Sequence, residues 1–293
     1  MIAREIWDEA MSRGVTRVRT PLPKAAWNEL YRRLTTFAEF ITSNDEFSRT
    51  FDAKARDWQI NSGLRLHYSG YFSPYYRNRV GQPGRDNKII FQMCEPYYRY
   101  LAEHDPALFT IPEFRSLADG AMAALFSSLA EYTPLIEALR DIDASLAHRL
   151  ITRQMLPPVS IRLLRYYSDK QFFTNPHVDK SAITVILDTD EPVETPCLVF
   201  APRSAKPPAL STFAPIQRRP DESLLFFGAA AMKAGYRGFE PSAHAVRPLL
   251  TSSVRHVAIF FWLLPGIDLA SFNTSTAYVD DLGLSRADRP AYD

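Results

Sequence analysis

The residues best suited to chemistry are a short triplet, His177-Val178-Asp179, and two more distant side chains, His244 and Arg255. Alternate positions of an extended chain share a face, so the triplet presents an imidazole and a carboxylate side by side, just ahead of an apolar run. A metal ion takes both kinds of donor. The triplet alone is weak, because Asp is at home in any turn that leads into a strand. His244, in PSAHAVRP, adds a second imidazole after further strand-like runs, and Arg255 opens the last apolar run of the chain.

Two neutral imidazoles and one carboxylate lower the charge of a six-coordinate ion without filling its sphere, the facial arrangement suited to non-haem Fe(II). His177, Asp179 and His244 are therefore the expected metal ligands, with positions left open for an oxidant and its helper. Arg255 carries a planar, permanently charged fork that grips a carboxylate through two hydrogen bonds, and is expected to anchor a co-substrate. His256 points to the opposite face of that strand and is not expected on the metal. His67, His104 and His148 have no acidic or histidine neighbour at useful spacing. Zinc accepts the same three donors, so a zinc hydrolase is a competing use of them, although it leaves Arg255 without a role. A Gly-x-Ser-x-Gly elbow, a Gly-rich phosphate loop, Cys-x-x-Cys and His-Glu-x-x-His are all absent.

The elements that must position these residues change character along the chain. Residues 24–40 place Trp27, Leu30, Tyr31, Leu34, Phe37 and Phe40 at helical spacing. A second helical pattern runs from Pro112 through Leu117, Met122, Leu125 and Leu129, and a third is expected to start at Thr133-Pro134, with Thr as N-cap and Pro at N1. Segment 67–88, rich in Tyr, Arg, Gly and Pro, has no period and reads either as a functional loop or lid or as a plain solvated loop. After Pro157-Pro158 come VSIRLLRYY (159–167), AITVILD (182–188), CLVFAP (197–202), SLLFFG (223–228) and SVRHVAIFFWLLP (253–265). Their branched and aromatic residues, cut by turns, suggest a β-sandwich or barrel. The expected class is α+β: a helix-rich region over 1–155 bracing an all-β core over 156–265, with a tail over 266–293, in one integrated domain.

The chain of 293 residues is 46% hydrophobic and 13% aromatic against 23% charged, the balance of a chain with a real core. Thirty-four basic and 33 acidic side chains leave a net charge of +1, without the basic excess of phosphate-tracking proteins, so no nucleic-acid partner is expected. Cys94 and Cys197, the only two cysteines, suit a reducing compartment. Arg4, Glu5, Asp8 and Glu9 stand where a secretory signal needs an apolar run, and no stretch approaches the ~20 apolar residues of a membrane span. The expectation is a soluble, cytoplasmic protein with a small-molecule substrate; the oligomeric state is not legible.

Taken in order, His177-Val178-Asp179, SLLFFG, His244 and Arg255 running into AIFFWLLP resemble the iron(II)/2-oxoglutarate-dependent dioxygenase superfamily. GYFSPYYRNRVGQPGRDNK, the helices after Pro112 and LLRYYSDK are similar in outline to the branch that includes isopenicillin N synthase and plant flavonoid oxygenases. The resemblance implies a double-stranded β-helix (jelly-roll) core. It further implies that Fe(II), 2-oxoglutarate and O2 are used to hydroxylate, desaturate or cyclise a small organic molecule, an amino acid or natural-product intermediate in biosynthesis, with release of succinate and CO2. Arg255 then holds the far carboxylate of 2-oxoglutarate. The branch's Asn-Tyr-Tyr-Pro stretch, which helps hold 2-oxoglutarate, falls on Arg165, Tyr166, Tyr167 and Ser168. Where the branch has Arg-x-Ser this chain has Arg255-His256-Val257, so Tyr167 is expected to supply the missing hydroxyl, and Arg165 to lie near the iron or the substrate. An iron oxidase of the same fold that uses no 2-oxoglutarate, or a metal-binding β-barrel without turnover, employs the same triad; conversion of 2-oxoglutarate separates them.

Overall fold

The computed structural model describes residues 3–44, 47, 70–72, 88–151, 159–166, 174–190, 198–202, 212–246, 255–264 and 266–267. Helix α1 (Ala3–Arg13) leads into strand β1 (Val15–Arg19) and helix α2 (Lys24–Thr42). Strands β2 (Gly70–Phe72) and β3 (Lys88–Met93) precede helices α3 (Glu95–His104), α4 (Pro112–Ala138) and α5 (Ala144–Leu150). Then follow β4 (Val159–Tyr166), β5 (Thr174–His177), β6 (Ile183–Thr189), β7 (Leu198–Phe200), β8 (Ala214–Pro215), β9 (Glu222–Phe227), the short helix α6 (Ala229–Lys233), β10 (His244–Val246) and β11 (Arg255–Trp262).

These strands pair antiparallel into a seven-stranded sheet, β1-β9-β6-β11-β4-β3-β2, and a four-stranded sheet, β5-β10-β7-β8. Strand parity sorts the large sheet's side chains into two cores. Ile161 and Leu163 of β4, with Ala258, Phe260 and Trp262 of β11, pack against Trp27, Leu34 and Phe37 of α2 and the apolar face of α4. Leu164, Tyr166, Val257, Ile259 and Phe261 point the other way and meet Leu198 and Phe200 of the small sheet. The architecture is thus mixed helix and antiparallel sheet, two sheets facing each other with helices behind the larger one, and the sheets do not close into a barrel. No described helix is long and apolar enough to cross a membrane.

Two expectations change. No helix begins at Thr133: α4 runs unbroken for 27 residues with Pro134 inside it. Pro134 lacks the N–H that would bond back, but the buried face continues through Tyr132 and Ile136, and Trp7 Nε1 donates to the Leu135 carbonyl at 2.9 Å, so packing outweighs the loss. The Thr133 hydroxyl, instead of capping, donates to the Leu129 carbonyl at 2.6 Å. The first half is also less purely helical than it reads, because β1, β2 and β3 all join the large sheet. In β6 the pairing with β11 slips between Ala258 and Ile259, and this bulge leaves Asp188 opposite Ala258 on the helix side. There Asp188 accepts from Lys24 Nζ at 2.7 Å and Tyr31 at 2.9 Å, tying α2 to the sheet.

Candidate metal centre

β5 and β10 pair so that His177 lies directly opposite His244, which brings the two imidazoles to a centroid separation of 4.2 Å. Asp179 follows in the turn after β5. Its Oδ1 lies 3.7 Å from His177 Nε2, and its Oδ2 lies 3.8 Å from His244 Nε2. One donor atom from each of the three falls within 4.8 Å of the others, and among the described residues no other group of His, Cys, Asp or Glu gathers in this way. Donors gathered this closely can converge on one first-row metal ion, and the chemistry of the set, two imidazoles and a carboxylate, fits Fe(II).

The supporting contacts orient each ligand. His244 Nδ1 lies 3.2 Å from the Ser242 carbonyl, which can only accept, so the proton sits on Nδ1 and the Nε2 lone pair faces Asp179. Phe226 and Phe200 flank the His244 ring at 4.8 and 5.7 Å. Thr184 donates to Asp179 Oδ2 at 2.8 Å and is itself 2.7 Å from the Ser181 hydroxyl. Behind the turn, the backbone N–H groups of Ala229 and Ala230 donate to the carbonyls of Asp179 and Ser181 at 2.7 and 3.0 Å. That approach needs Gly228, since a Cβ there would lie 2.6 Å from Ser181 Oγ and 2.8 Å from the Asp179 carbonyl oxygen. Burial pushes the Asp179 carboxyl up, but His244, His177, the Thr184 hydroxyl and Arg162 outweigh it and hold the group below its ordinary value. An anionic ligand is what results at neutral pH.

Arg255 is buried at the start of β11, opposite Tyr166, and its guanidinium lies 5.9 Å from the Tyr166 ring. It shares parity with Val257 and Ile259, so it faces the space between the sheets, the same space that His244 reaches beside Phe200 and Phe226. His256 takes the other face: it stacks on Tyr31 of α2 at 5.0 Å and pairs with Asp190 at 2.7 Å, away from the metal site. Arg165 lies opposite His256 in the β4–β11 ladder and therefore faces the helices too. This corrects its expected position near the iron or substrate; the inward residue is Tyr166, one step on. Tyr167, Ser168 and His67 lie outside the described residues, as does most of segment 67–88 and nearly all of 266–293. His104 and His148 are exposed on the helical side.

Sequence reasoning missed Thr184, Ser242 and Gly228, which act on the ligands through hydrogen bonds or by lacking a side chain, and Arg162. Arg162 shares the inward parity of Leu164 and Tyr166, and its sequence signal is a cation, one of two with Arg165, within a largely apolar strand.

No protein-family model and no curated protein matches the chain. Solved structures do. A Caulobacter crescentus protein described as a member of the 2OG-Fe(II) oxygenase family matches with a TM-score of 0.60 at 17% identity, over 89% of this chain and 81% of that one. A Shewanella oneidensis protein described as an oxygenase matches with a TM-score of 0.58 at 17% identity, over 97% and 96%. The dioxygenase for auxin oxidation 1 from Arabidopsis thaliana, solved with 2-oxoglutarate, matches with a TM-score of 0.57 at 16% identity, over 90% and 88%. At such identities the likeness is one of fold: the chain has the jelly-roll fold of the iron(II)/2-oxoglutarate oxygenases, and no branch within them is singled out.

Proposed function

We propose that this chain is an Fe(II)- and 2-oxoglutarate-dependent dioxygenase that oxidises a small organic molecule at a C–H bond. The observation that carries the reading is the convergence of His177, Asp179 and His244, with Arg255 buried and directed into the same inter-sheet space. Iron bound there supplies the activation of dioxygen, one oxygen atom going to the substrate and the other to succinate as 2-oxoglutarate loses CO2.

The rest is positioning by the chain. His177 and His244 offer Nε2 and Asp179 its carboxylate, with His244 kept in that tautomer by Ser242 and Asp179 aimed by Thr184. Arg255 receives the far carboxylate of 2-oxoglutarate as a two-pronged pair, with Tyr166 beside it and the Tyr167 hydroxyl as a proposed third contact. Val257, Ile259 and Phe261 line the same face and keep water from the reacting atoms. Support for the co-substrate comes from the fold, which the 2-oxoglutarate-bound Arabidopsis enzyme shares.

The test is succinate release from 2-oxoglutarate under air, with and without Fe(II). Slow, iron-dependent succinate formation that disappears in Asp179→Ala is the expected result. Absence of 2-oxoglutarate turnover under every metal and substrate condition would leave the iron oxidase or the non-catalytic metal protein in its place.

A further inference from the structure

Two of the three metal ligands are backed by one stretch of chain, the connection 228–243 between β9 and β10. At its start, the Ala229 and Ala230 N–H groups hold the turn that carries Asp179. At its end, the Ser242 carbonyl faces His244 Nδ1 at 3.2 Å. Helix α1 meets both ends. Trp7, fully buried, stacks on Phe227 with ring centroids 5.9 Å apart and planes 16° from parallel, and Phe227 immediately precedes Gly228. The buried Ser242 hydroxyl donates to the carbonyl of Gly14, in the turn between α1 and β1, while the Ser242 N–H donates to the Phe227 carbonyl at 2.9 Å. Gly14 has φ +85°, and its N–H bonds back to the Ala10 carbonyl at 2.9 Å, the left-handed helix ending that glycine favours.

We propose that the Ser242 side chain is a positioning group for the metal ligand His244, and that through it and Trp7 the docking of α1 and the occupancy of the metal site stabilise each other. The inference rests on the metal-binding part of the function proposed above and needs neither 2-oxoglutarate nor turnover. Three bonds hold the Ser242 backbone: its hydroxyl on Gly14, its N–H on Phe227, and the next carbonyl, Ala243, which accepts from the Ala201 N–H at 2.9 Å. Together they fix the plane of the Ser242 carbonyl, and the His244 ring turns with the hydrogen bond it makes there, so a shift at the hydroxyl reaches Nε2. Of the three, only the hydroxyl ties this residue to the N-terminal turn; the others bind it to β9 and to the end of β7. Coupling of this kind is reciprocal. If docked α1 raises metal affinity, bound metal resists the undocking of α1 by the same factor. A bond that merely holds α1 in place predicts something else: lost stability with metal affinity intact.

The experiment combines anaerobic Fe(II) calorimetry on the full chain, well below its unfolding temperature, with hydrogen exchange of residues 10–14 in the presence and absence of saturating Fe(II). Ser242→Ala is expected to weaken Fe(II) binding by about tenfold or more. In the wild type, Fe(II) is expected to slow exchange at the Gly14 amide, whose bond to Ala10 opens when the turn leaves, by about tenfold or more. In Ser242→Ala that slowing should fall to about threefold or less. The control is Tyr132→Phe, which deletes the 3.0 Å hydrogen bond from the Tyr132 hydroxyl to the Arg19 carbonyl and so loosens β1 at a point that leads to no ligand. It should lower thermal stability and leave Fe(II) affinity within about threefold. The proposal is overturned if Ser242→Ala binds Fe(II) within about twofold of wild type, if Tyr132→Phe weakens binding as much as Ser242→Ala does, or if Fe(II) leaves exchange at residues 10–14 of the wild type unchanged. Should Ser242→Ala not fold, the wild-type exchange measurement decides alone. Failure of the wild type to bind Fe(II) at all defeats the functional reading and this inference with it, and is seen in the first titration.

Discussion

Replacing Gly228 with Ala adds one methyl group behind the metal site and should weaken metal binding without touching a ligand. The glycine has φ −96° and ψ −178°, a backbone open to any residue, so the constraint is space alone. Its added Cβ would lie 2.6 Å from Ser181 Oγ and 2.8 Å from the Asp179 carbonyl oxygen, closer than the 3.0 Å that real Cβ atoms respect. The atom it meets first is the Ser181 carbonyl oxygen, and this and the Asp179 carbonyl are backbone, held by the Ala230 and Ala229 N–H groups, so they cannot swing aside as a side chain would. Restoring ordinary contact moves the Asp179 backbone by roughly half an ångström, more than the ~0.2 Å that metal–ligand distances tolerate. Overpacking of this kind costs about 1–3 kcal/mol of stability, and misplacing the carboxylate should cost about tenfold to a hundredfold in metal affinity. The control is Gly235→Ala: its φ of +87° makes Ala strained, but no atom lies within 4 Å of the new Cβ. That variant should lose about 1–2 kcal/mol of stability with metal affinity intact. Thermal unfolding of the apo proteins together with calorimetric metal titration reads both quantities. Gly228→Ala binding metal as tightly as wild type would refute the argument that this packing aims Asp179.

Other outcomes follow from the same geometry. His244→Ala removes one of three donors and should lower Fe(II) affinity by orders of magnitude, while His256→Ala, on the helix side of β11, should leave it nearly unchanged in the same titration. Thr184→Val deletes the 2.8 Å hydrogen bond to Asp179 and should cost about tenfold in metal affinity with little loss of fold, readable by calorimetry and unfolding together. Arg255→Ala should raise the Michaelis constant for 2-oxoglutarate by about thirtyfold or more with iron affinity little altered, and Arg255→Lys should recover only part of it; unchanged 2-oxoglutarate dependence would remove Arg255 from the co-substrate site.

The triad was legible because its chemistry is local in sequence at one end and rare at the other. Six histidines leave few candidates, and alternation alone separated His244 from His256. The pairing that places His177 opposite His244 was not legible, since β5 and β10 are strands of four and three residues with no apolar run to announce them. Arg165 went astray for a related reason. β4 is buried on both faces, so VSIRLLRY carries no hydrophobic alternation from which to read its parity. Only its register with β11, Arg255 opposite Tyr166 and His256 opposite Arg165, shows which side is inward. The same register brings Arg162 into the pocket. Strand β1 was missed because its Val-Thr-Arg-Val-Arg alternation is short and lies between two helices, and α4 was cut too early because a proline weighs heavily in sequence and little against a continuous buried face.

An anaerobic crystal structure of the full chain with Fe(II) and 2-oxoglutarate tests the central claim most directly. The expected result is one iron bonded to His177, Asp179 and His244, with 2-oxoglutarate chelating it and its far carboxylate paired with Arg255. Iron bound elsewhere, or 2-oxoglutarate seated without contact to Arg255, would contradict it.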